Sequence, residues 1–452
     1  MESRITDPVK PSSPNPRASL AALLSFVFPG LGQAYNRQFG LAWLLAAPIL
    51  ALVGAVIVVV VMSPSRLLGR LFDYRFLIGL IVLDLVLLGW RMIAVVQAHS
   101  RRERPNPRSW ATWVTVLLVV GVLAMHALPA YYVAKAMDTL DTVALGGSHG
   151  GQLGDIFPDV SGQPEPSDQP DVAKGERVNI LLVGVDSLPS RTTQLTDTML
   201  VVSFDTNGTR SAMISVPRDL YGVPLPGGGV FNEKLNSLMV RAAGDPKKYP
   251  LGGVGTLKAA IGGMLGVQIH YFAAINLLGF KQMVDSIGGV DIVVTRTIND
   301  PTYYDEYDRP APLYIKAGAH HMNGHLALAF VRSRKGAGDS DFTRADRQQQ
   351  LLEAVRAKLT AGNLLLALPG LLDAVKNTIA TDVPSARLAQ LAAAVQEADM
   401  SQLQRIVLQP PEYMRVDPFS RAGYILIPDL AAIRAIGEQL LGAATAEPSA
   451  GP

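Results

Sequence analysis

The sequence has no cysteine and little charge, and each shortage excludes a class of function. Because none of the 452 residues is cysteine, the chain has no disulfide, no thiol nucleophile and no zinc site built on thiolates. The net charge of +2 gives no general basic field, so nucleic acid is not an expected partner. Only 17% of the residues are charged while 49% are hydrophobic, a composition that favours a chain with membrane-spanning segments.

Apolar runs in the N-terminal third predict a membrane region. Runs at about 41–62, 76–97 and 110–134 each approach the roughly 20 residues that cross a hydrocarbon core. A shorter run, 19–28, is a re-entrant segment, an interfacial segment or a fourth span. We therefore expect three or four helices within residues 19–137, in contact with the lipid bilayer, after a disordered tail at 1–18.

Basic residues between the spans set the expected orientation. The loop with Arg101, Arg102, Arg104 and Arg108 is the most basic connection, and Lys and Arg are retained on the cytoplasmic side. Everything after Lys135 is then expected outside the cell, which makes the chain a multi-pass protein of the bacterial cell membrane with an extracellular C-terminal domain.

Asp84 lies inside the second predicted span, where an ionisable group is costly. Arg91 follows seven residues later on the same helical face. We interpret Asp84 as a helix-packing carboxylate, neutral or paired with Arg91, in preference to a transport or relay group.

The remainder of the chain predicts a tethered α/β domain. Residues 138–177 are rich in Gly and Pro and indicate an extended linker. Residues 178–441 alternate strands and helices, which favours a central mixed β-sheet flanked by helices, and 442–452 form a second disordered tail. Four strands are predicted at 178–184, 198–204, 212–216 and 289–295. Helices are predicted at 255–265, 278–287, 324–331 and 346–360, followed by several more up to Leu441.

Carboxylates stand at the ends of the first two strands, where open α/β sheets bind ligands. Asp186 follows the first strand and Asp197 opens the second. Two hard oxygen ligands suit Mg²⁺, which shares the rest of its shell with water and substrate phosphates. The alternative is that each carboxylate caps a turn or a helix start.

Arginines cluster at the same ends and indicate an anion site. Arg218 follows the third strand, and Arg332 and Arg334 follow an apolar segment that would direct both to one face if extended. Guanidinium groups match phosphate oxygens in bidentate fashion. Further candidates are Arg191, Arg344, Arg347 and Gln348, of which the last three share a face of a helix expected to be capped by Asp341 or Thr343.

Three histidines, His320, His321 and His325, lie close together but have the local sequence of a turn before a helix. We therefore expect no zinc site at these residues.

Seven motifs occur in an order that resembles the LytR-CpsA-Psr family over about residues 178–440. They are Leu-Leu-Val-Gly-Val-Asp (181–186), Thr-Asp-Thr-Met (196–199), Ser-Val-Pro-Arg-Asp-Leu (215–220), Lys-Leu-Asn (234–236), Phe280 with Val-Asp-Ser-Ile-Gly-Gly-Val (284–290), Val-Arg-Ser-Arg (331–334) and Asp-Phe-Thr-Arg-Ala-Asp-Arg-Gln-Gln (341–349).

The resemblance implies a Mg²⁺-dependent phosphotransferase that moves a glycopolymer from an undecaprenyl-pyrophosphate carrier to peptidoglycan. It implies that Asp186 and Asp197 ligate the metal and that Asp197, Arg218, Arg332 and Arg334 carry catalysis. The pyrophosphate is expected to bind Arg191, Arg218, Arg332, Arg334, Arg344, Arg347 and Gln348. Two rival functions remain open, which are hydrolysis of the polyprenyl pyrophosphate and a non-enzymatic receptor for polyprenyl lipids.

Overall fold

The described residues form an N-terminal helical unit and a C-terminal α/β unit. The structure is a computed structural model that describes residues 15–62, 70, 73–104, 109–144, 176–185, 195–205, 210–359, 379–384, 387, 390–391, 394–395, 398 and 402–442. The first unit comprises residues 1–67 and 74–135, and the second comprises 68–73 and 136–452.

The helical unit contains three helices long and apolar enough to cross a membrane, as predicted. Its helices are α1 (Pro16–Val27), α2 (Leu31–Tyr35), α3 (Phe39–Met62), α4 (Tyr74–Ser100) and α5 (Trp110–Ala144). The spans lie in α3, α4 and α5. The 12 residues of α1 extend only about 18 Å at 1.5 Å per residue, which is too short for a hydrocarbon core of about 30 Å.

Two predicted boundaries are wrong. The predicted N-terminal tail ran to residue 18, but α1 begins at Pro16 because the Asn15 side chain caps its first turn. The predicted linker began at residue 138, but α5 continues to Ala144. Predicted tail residues 1–14, linker residues 145–175 and C-terminal residues 443–452 lie outside the described part of the chain.

Asp84 is paired, although not with the partner expected from the sequence. Its Oδ1 lies 2.7 Å from Nδ1 of His126, which joins α4 to α5. Arg91 instead donates to the backbone carbonyl of Phe26 at 2.6 Å. The predicted Asp84–Arg91 pair is therefore wrong, because the histidine of a neighbouring helix contacts the carboxylate.

The α/β unit is built on a six-stranded sheet. Its strands in chain order are β1 (Arg177–Val185), β2 (Thr196–Asp205), β3 (Ser211–Ser215), β4 (Tyr221–Pro224), β5 (Val230–Lys234), β6 (Tyr271–Asn276), β7 (Val290–Val294), β8 (Ile298–Asp300), β9 (Leu313–Ile315), β10 (Gly318–Met322), β11 (Ile379–Thr381), β12 (Leu403–Val407), β13 (Met414–Ser420) and β14 (Gly423–Pro428). The helices are α6 (Leu238–Gly244), α7 (Gly252–Leu265), α8 (Leu277–Ser286), α9 (Gly324–Arg332), α10 (Asp341–Lys358) and α11 (Leu430–Leu441).

The central sheet is mixed, as predicted. Its order is β11-β6-β1-β2-β3-β12. β1 pairs antiparallel with β2 and parallel with β6, whereas β3 pairs antiparallel with β2 and parallel with β12. The predicted strand at 289–295 is β7, which lies outside this sheet and pairs with β10.

Strands occur in two regions where the sequence predicted something else: the histidine segment, predicted as a turn, and the region after residue 360, predicted as helices, which contains β11 to β14. His320 and His321 belong to β10, so the predicted turn there is wrong. The hairpin β13–β14 replaces the helices predicted in that region, because prolines at 410, 411 and 418 oppose a helix and Tyr424-Ile-Leu-Ile is a β-favouring run.

Fully buried and half-buried side chains alternate along β1, so the two faces of the sheet differ. Leu181, Val183 and Val185 are buried in the main apolar core, together with residues of α6, α7 and α11. Ile180 and Leu182 point to the opposite face and are half-buried. The strand ends, where the predicted site residues lie, are thereby fixed by the main core.

Candidate phosphate-binding site

Residues from several strands and helices of the α/β unit enclose a small cavity of about 170 Å³ at the ends of β2 and β3, here called the arginine cavity. Asp197 and Thr198 come from β2, Arg218 and Asp219 follow β3, Arg334 follows α9, and Asp341, Arg344 and Gln348 come from α10. The cavity therefore collects side chains more than 140 residues apart in the sequence.

Arg218 is the cation at the centre of this cavity. Its Nη1 lies 2.7 Å from Asp197 Oδ1, and its Nε lies 3.6 Å from Asp219 Oδ2 and 3.8 Å from Asp341 Oδ1. Burial disfavours its charge, but Asp197 and Asp341 outweigh burial and raise the pKa of Arg218 above its ordinary value. Arg218 is therefore held charged and in a fixed position.

Arg344 and Gln348 lie one helical turn apart on α10 and face the same cavity. Arg344 contacts Asp341 Oδ1 at 3.0 Å and donates to the Asp197 backbone carbonyl at 3.2 Å. Burial lowers the pKa of Arg344, although Asp341 opposes this, and an arginine in a protein stays protonated even so. Gln348 Nε2 donates to Thr198 Oγ1 at 2.9 Å, which aligns α10 with the end of β2.

The N-terminus of α10 is capped by Ser340, not by Asp341 or Thr343 as predicted. The Ser340 hydroxyl accepts from the Thr343 backbone N–H, and the Thr343 hydroxyl accepts from the Ser340 backbone N–H. This reciprocal capping box leaves the Asp341 carboxylate, in the first helical turn, available to the three arginines of the cavity.

A second cavity of about 480 Å³, here called the tyrosine cavity, adjoins the first. The two share Asp197, Thr198, Arg334, Arg344 and Gln348. Arg332 lines only the tyrosine cavity, where its Nη1 donates to the Tyr304 carbonyl at 3.3 Å and its guanidinium lies 5.8 Å from the centre of the Tyr303 ring.

Arg332 and Arg334 reach this cavity together, as predicted for an extended segment. The reason is that α9 ends at Arg332 and Ser333 turns to an extended conformation, with ψ of 137°. The Ser333 hydroxyl fixes that turn by donating to buried Asp300 at 2.9 Å.

Arg347 does not join the cluster, and its predicted role in pyrophosphate binding is corrected. Its guanidinium is buried, contacts Asp339 Oδ1 at 3.0 Å, donates to the Ser333 carbonyl and lies over the Phe330 ring. Arg347 was predicted to share a helix face with Arg344 and Gln348. The buried carboxylate of Asp339 instead draws the Arg347 side chain away from Arg344. Two other predicted site residues, Asp186 and Arg191, lie outside the described residues.

Replacement of Arg347 by methionine is expected to lower stability rather than donor binding. Asp339 would keep only the half-exposed Arg296 as its partner, and breaking a buried ion pair costs about 3 kcal/mol. Thermal unfolding and lipid binding, measured on the same purified variant, check this. A variant that melts like the wild type but no longer binds polyprenyl pyrophosphate would contradict it.

Two further residues, Lys234 and Tyr424, belong to the site but were not among the predicted site residues, and only Lys234 lies in a motif that the sequence showed. Lys234 lies in the Lys-Leu-Asn motif, and its Nζ contacts Asp219 Oδ1 at 2.7 Å. Tyr424 of β14 lines the arginine cavity, and burial with the nearby Asp219 and Asp341 raises its pKa, so its hydroxyl stays protonated. The position of Tyr424 had no signal because its hairpin was predicted as helix.

Among the described residues no group of three or more His, Asp or Glu side chains converges to hold a metal ion. The three histidines are separately paired, His320 with the Lys316 carbonyl, His321 with Asp291 and His325 with Glu306. Asp197 is the described member of the predicted Mg²⁺ pair, and it presents a partly exposed carboxylate to both cavities.

The fold is an α/β domain with an arginine-lined cavity at the strand ends of a mixed sheet, preceded in the chain by apolar helices consistent with a membrane anchor. The LytR_cpsA_psr family model matches residues 158–421. The chain belongs to this family, as the order of its motifs indicated.

Curated relatives and a solved structure are similar to the chain. It is 26% identical over 310 residues to a polyisoprenyl-teichoic acid–peptidoglycan teichoic acid transferase TagU of Oceanobacillus iheyensis, covering 66% of this chain and 84% of that protein. It is 31% identical over 212 residues to the TagU of Bacillus anthracis, covering 47% and 62%. The crystal structure of B. subtilis TagV aligns with a TM-score of 0.46 at 21% identity, covering 60% of this chain and 99% of that one.

Proposed function

We propose that the α/β unit transfers a glycopolymer from a polyprenyl-pyrophosphate carrier to peptidoglycan, with Mg²⁺ as cofactor. The observation that carries the proposal is the convergence of Arg218, Arg334 and Arg344 on one cavity at the strand ends. Family membership supports the reaction type, since the curated relatives are named as transferases of teichoic acid to peptidoglycan.

The arginines suit the pyrophosphate of the donor. Guanidinium groups pair with phosphate oxygens in bidentate fashion, and several aimed at one cavity bind both phosphates. Arg218 Nε and Arg344 Nε are buried without a hydrogen-bond partner in the described residues. Such unpaired donors are uncommon, and phosphate oxygens are the acceptors that they lack.

The donor's hydrocarbon chain suits the half-buried face of the central sheet. Ile180, Leu182 and Gly184 lie along that face of β1, and Ala273 and Ile275 of β6 stand beside Leu182 and Gly184. Gly184 also lines the tyrosine cavity. An apolar strip therefore leads to the tyrosine cavity, which adjoins the arginine cavity. Burying a prenyl chain on this strip removes apolar surface from water.

The charge of the arginine cavity supports a divalent cation. The charged side chains that line it are three arginines and three aspartates, so their charges cancel. They are Arg218, Arg334, Arg344, Asp197, Asp219 and Asp341. A pyrophosphate diester adds about two negative charges, and Mg²⁺, which binds one or two carboxylates together with phosphates, would balance them. Asp197, together with Asp186, would hold the ion, which supplies charge neutralisation at the phosphoryl oxygens.

The reaction is an in-line displacement at the phosphorus next to the sugar. The acceptor hydroxyl oxygen forms a new bond to this phosphorus, and the bond from phosphorus to the bridging oxygen breaks. Polyprenyl phosphate leaves with that oxygen, and the hydroxyl proton passes to a carboxylate of the cavity, for which Asp219 and Asp197 are the candidates. Arg218, Arg334 and Arg344 stabilise the charge that develops on the phosphoryl oxygens.

Mass spectrometry of lipid that co-purifies with the full chain tests donor binding. The wild type is expected to retain a polyprenyl pyrophosphate carrying sugar, and Arg218→Ala with Arg344→Ala is expected to lose it, because the phosphate-binding cations are gone. Arg241→Ala, an exposed arginine of α6, is the matched control. Polyprenyl lipid in equal amount in wild type and double variant, or in neither, would contradict the assignment.

The membrane topology proposed for this function places the α/β unit outside the cell, where the acceptor is. The basic loop around Arg101, Arg102 and Arg104 supports a cytoplasmic location for that loop. With three spans, a C-terminal tag is expected to be cut by protease added to intact cells. A tag that is protected until the cells are lysed would contradict the topology.

A further inference from the structure

A third cavity, of about 650 Å³, lies beside the arginine cavity, and here it is called the far cavity. The far and arginine cavities share Ser340 and Phe342, at the N-terminus of α10, and Val407, at the end of β12. The far and tyrosine cavities share no lining residue. The arginine cavity therefore lies between the other two and shares wall residues with each of them.

Helix α10 separates the two outer cavities. Arg344 and Gln348 face the arginine and tyrosine cavities, whereas Asp346 and Gln350 line the far cavity. A difference of two residues turns a helical side chain by about 200°, so these pairs lie on opposite sides of α10. The outer cavities consequently adjoin the arginine cavity from different directions.

The far cavity has polar walls with aromatic rings between them. Arg296, Arg405 and Glu412 supply charge of both signs, and the largely buried Phe330 and Tyr413 complete the walls. Charged and hydrogen-bonding groups at such a wall suit the hydroxyls of a saccharide. The volume is within the range of about 300–1,000 Å³ that small-ligand sites occupy.

Gln349 lies between the far cavity and the arginine cavity. Its amide Nε2 donates at 2.9 Å to Ser215 Oγ, which lines the arginine cavity. Its Oε1 is fully buried without a hydrogen-bond partner in the described residues, and Gln349 lines the far cavity. A buried acceptor that lacks a donor is costly, and a sugar hydroxyl is the donor that it lacks.

We infer that the far cavity is the subsite for the acceptor glycan, a hydroxyl-rich amino sugar chain with carboxylate substituents such as peptidoglycan. This inference rests on the proposed transfer. An in-line displacement needs the nucleophile opposite the leaving group. Since the polyprenyl phosphate departs toward the apolar strip beside the tyrosine cavity, the attacking hydroxyl enters from the far cavity, around Ser340 and Phe342.

Steady-state transfer by the full-length protein tests the inference, with donor and acceptor varied separately. Gln409→Trp fills the far cavity from an exposed rim position, and Arg405→Ala removes a cation from its wall. Both variants are expected to raise the KM for a soluble peptidoglycan fragment at least tenfold, with the KM for the donor and the co-purified lipid unchanged. Gln404→Trp is the matched control, because exposed Gln404 lies on the same strand as Arg405 but lines none of the three cavities.

The outcomes separate this inference from the proposed function. Normal acceptor KM in both variants would overturn the inference while transfer itself stands. A raised donor KM with normal acceptor KM would assign the cavity to the donor glycan instead and would also overturn it. A wild type that transfers to no acceptor would refute the proposed function, and this inference with it.

Discussion

Replacement of Arg218 by alanine is expected to lower glycan transfer by about two to three orders of magnitude, the loss typical when one donor to the transition-state charge is removed. Arg218 lies within 3.8 Å of three carboxylates and is 2.7 Å from Asp197. Without its charge the cavity would hold three aspartates against two arginines and would repel a pyrophosphate. The measurement is the initial rate of transfer with purified protein at saturating donor and acceptor.

Two controls separate catalysis from folding in this experiment. Arg218→Lys keeps the positive charge but loses the planar fork, so it is expected to recover only part of the rate. Arg241→Ala removes an arginine whose side chain is 63% exposed and is expected to transfer like the wild type. If Arg218→Ala retains most of the transfer rate while melting normally, the arginine cavity is not the site of the reaction.

The second large effect is expected from Asp197, the described residue of the proposed Mg²⁺ site. Asp197→Asn keeps the size of the side chain but removes the charge that is proposed to bind the ion and that orients Arg218. Transfer is expected to fall by about two orders of magnitude, as for other charge-stabilising groups. Chelation of Mg²⁺ should abolish wild-type transfer, and added Mg²⁺ should restore it.

A control variant outside the cavity and a titration with Mg²⁺ accompany this prediction. Asp245→Asn changes an exposed aspartate whose side chain accepts a hydrogen bond from the Lys248 backbone N–H. This variant should leave both transfer and its Mg²⁺ dependence intact. Asp197→Asn should need more Mg²⁺ for half-maximal rate than the wild type. Full wild-type transfer in the presence of chelator would contradict the proposed cofactor.

Local patterns in the sequence were sufficient to predict three of the six strands of the central sheet and much of the site. The apolar runs of β1, β2 and β3 predicted three central strands, and polar residues at their ends predicted where Asp197 and Arg218 lie. Arg344 and Gln348 were found by their spacing of four on a helix. These features are set by residues that are close together in the sequence, so the periodic pattern of apolar and polar residues reveals them.

The features that were mispredicted depend on contacts between distant residues. Arg347 is drawn to Asp339, whose burial no local pattern reveals. Tyr424 reaches the site only because β13 and β14 form a hairpin that brings it beside Asp219 and Asp341. Likewise, Asp84 pairs with His126 across 42 residues. Tertiary packing decides such contacts, and spacing along the chain does not.

The decisive assay for the proposed reaction is transfer by the purified full-length protein, supplied with Mg²⁺, a polyprenyl-pyrophosphate-linked glycan and peptidoglycan. We expect glycan to become attached to peptidoglycan through a phosphodiester and polyprenyl phosphate to be released in equal amount, with little donor cleavage when the acceptor is omitted. Donor cleavage at the same rate with and without peptidoglycan, giving only free glycan phosphate, would contradict it and identify a hydrolase. Tight binding of the donor without any turnover would contradict it equally and identify a lipid receptor.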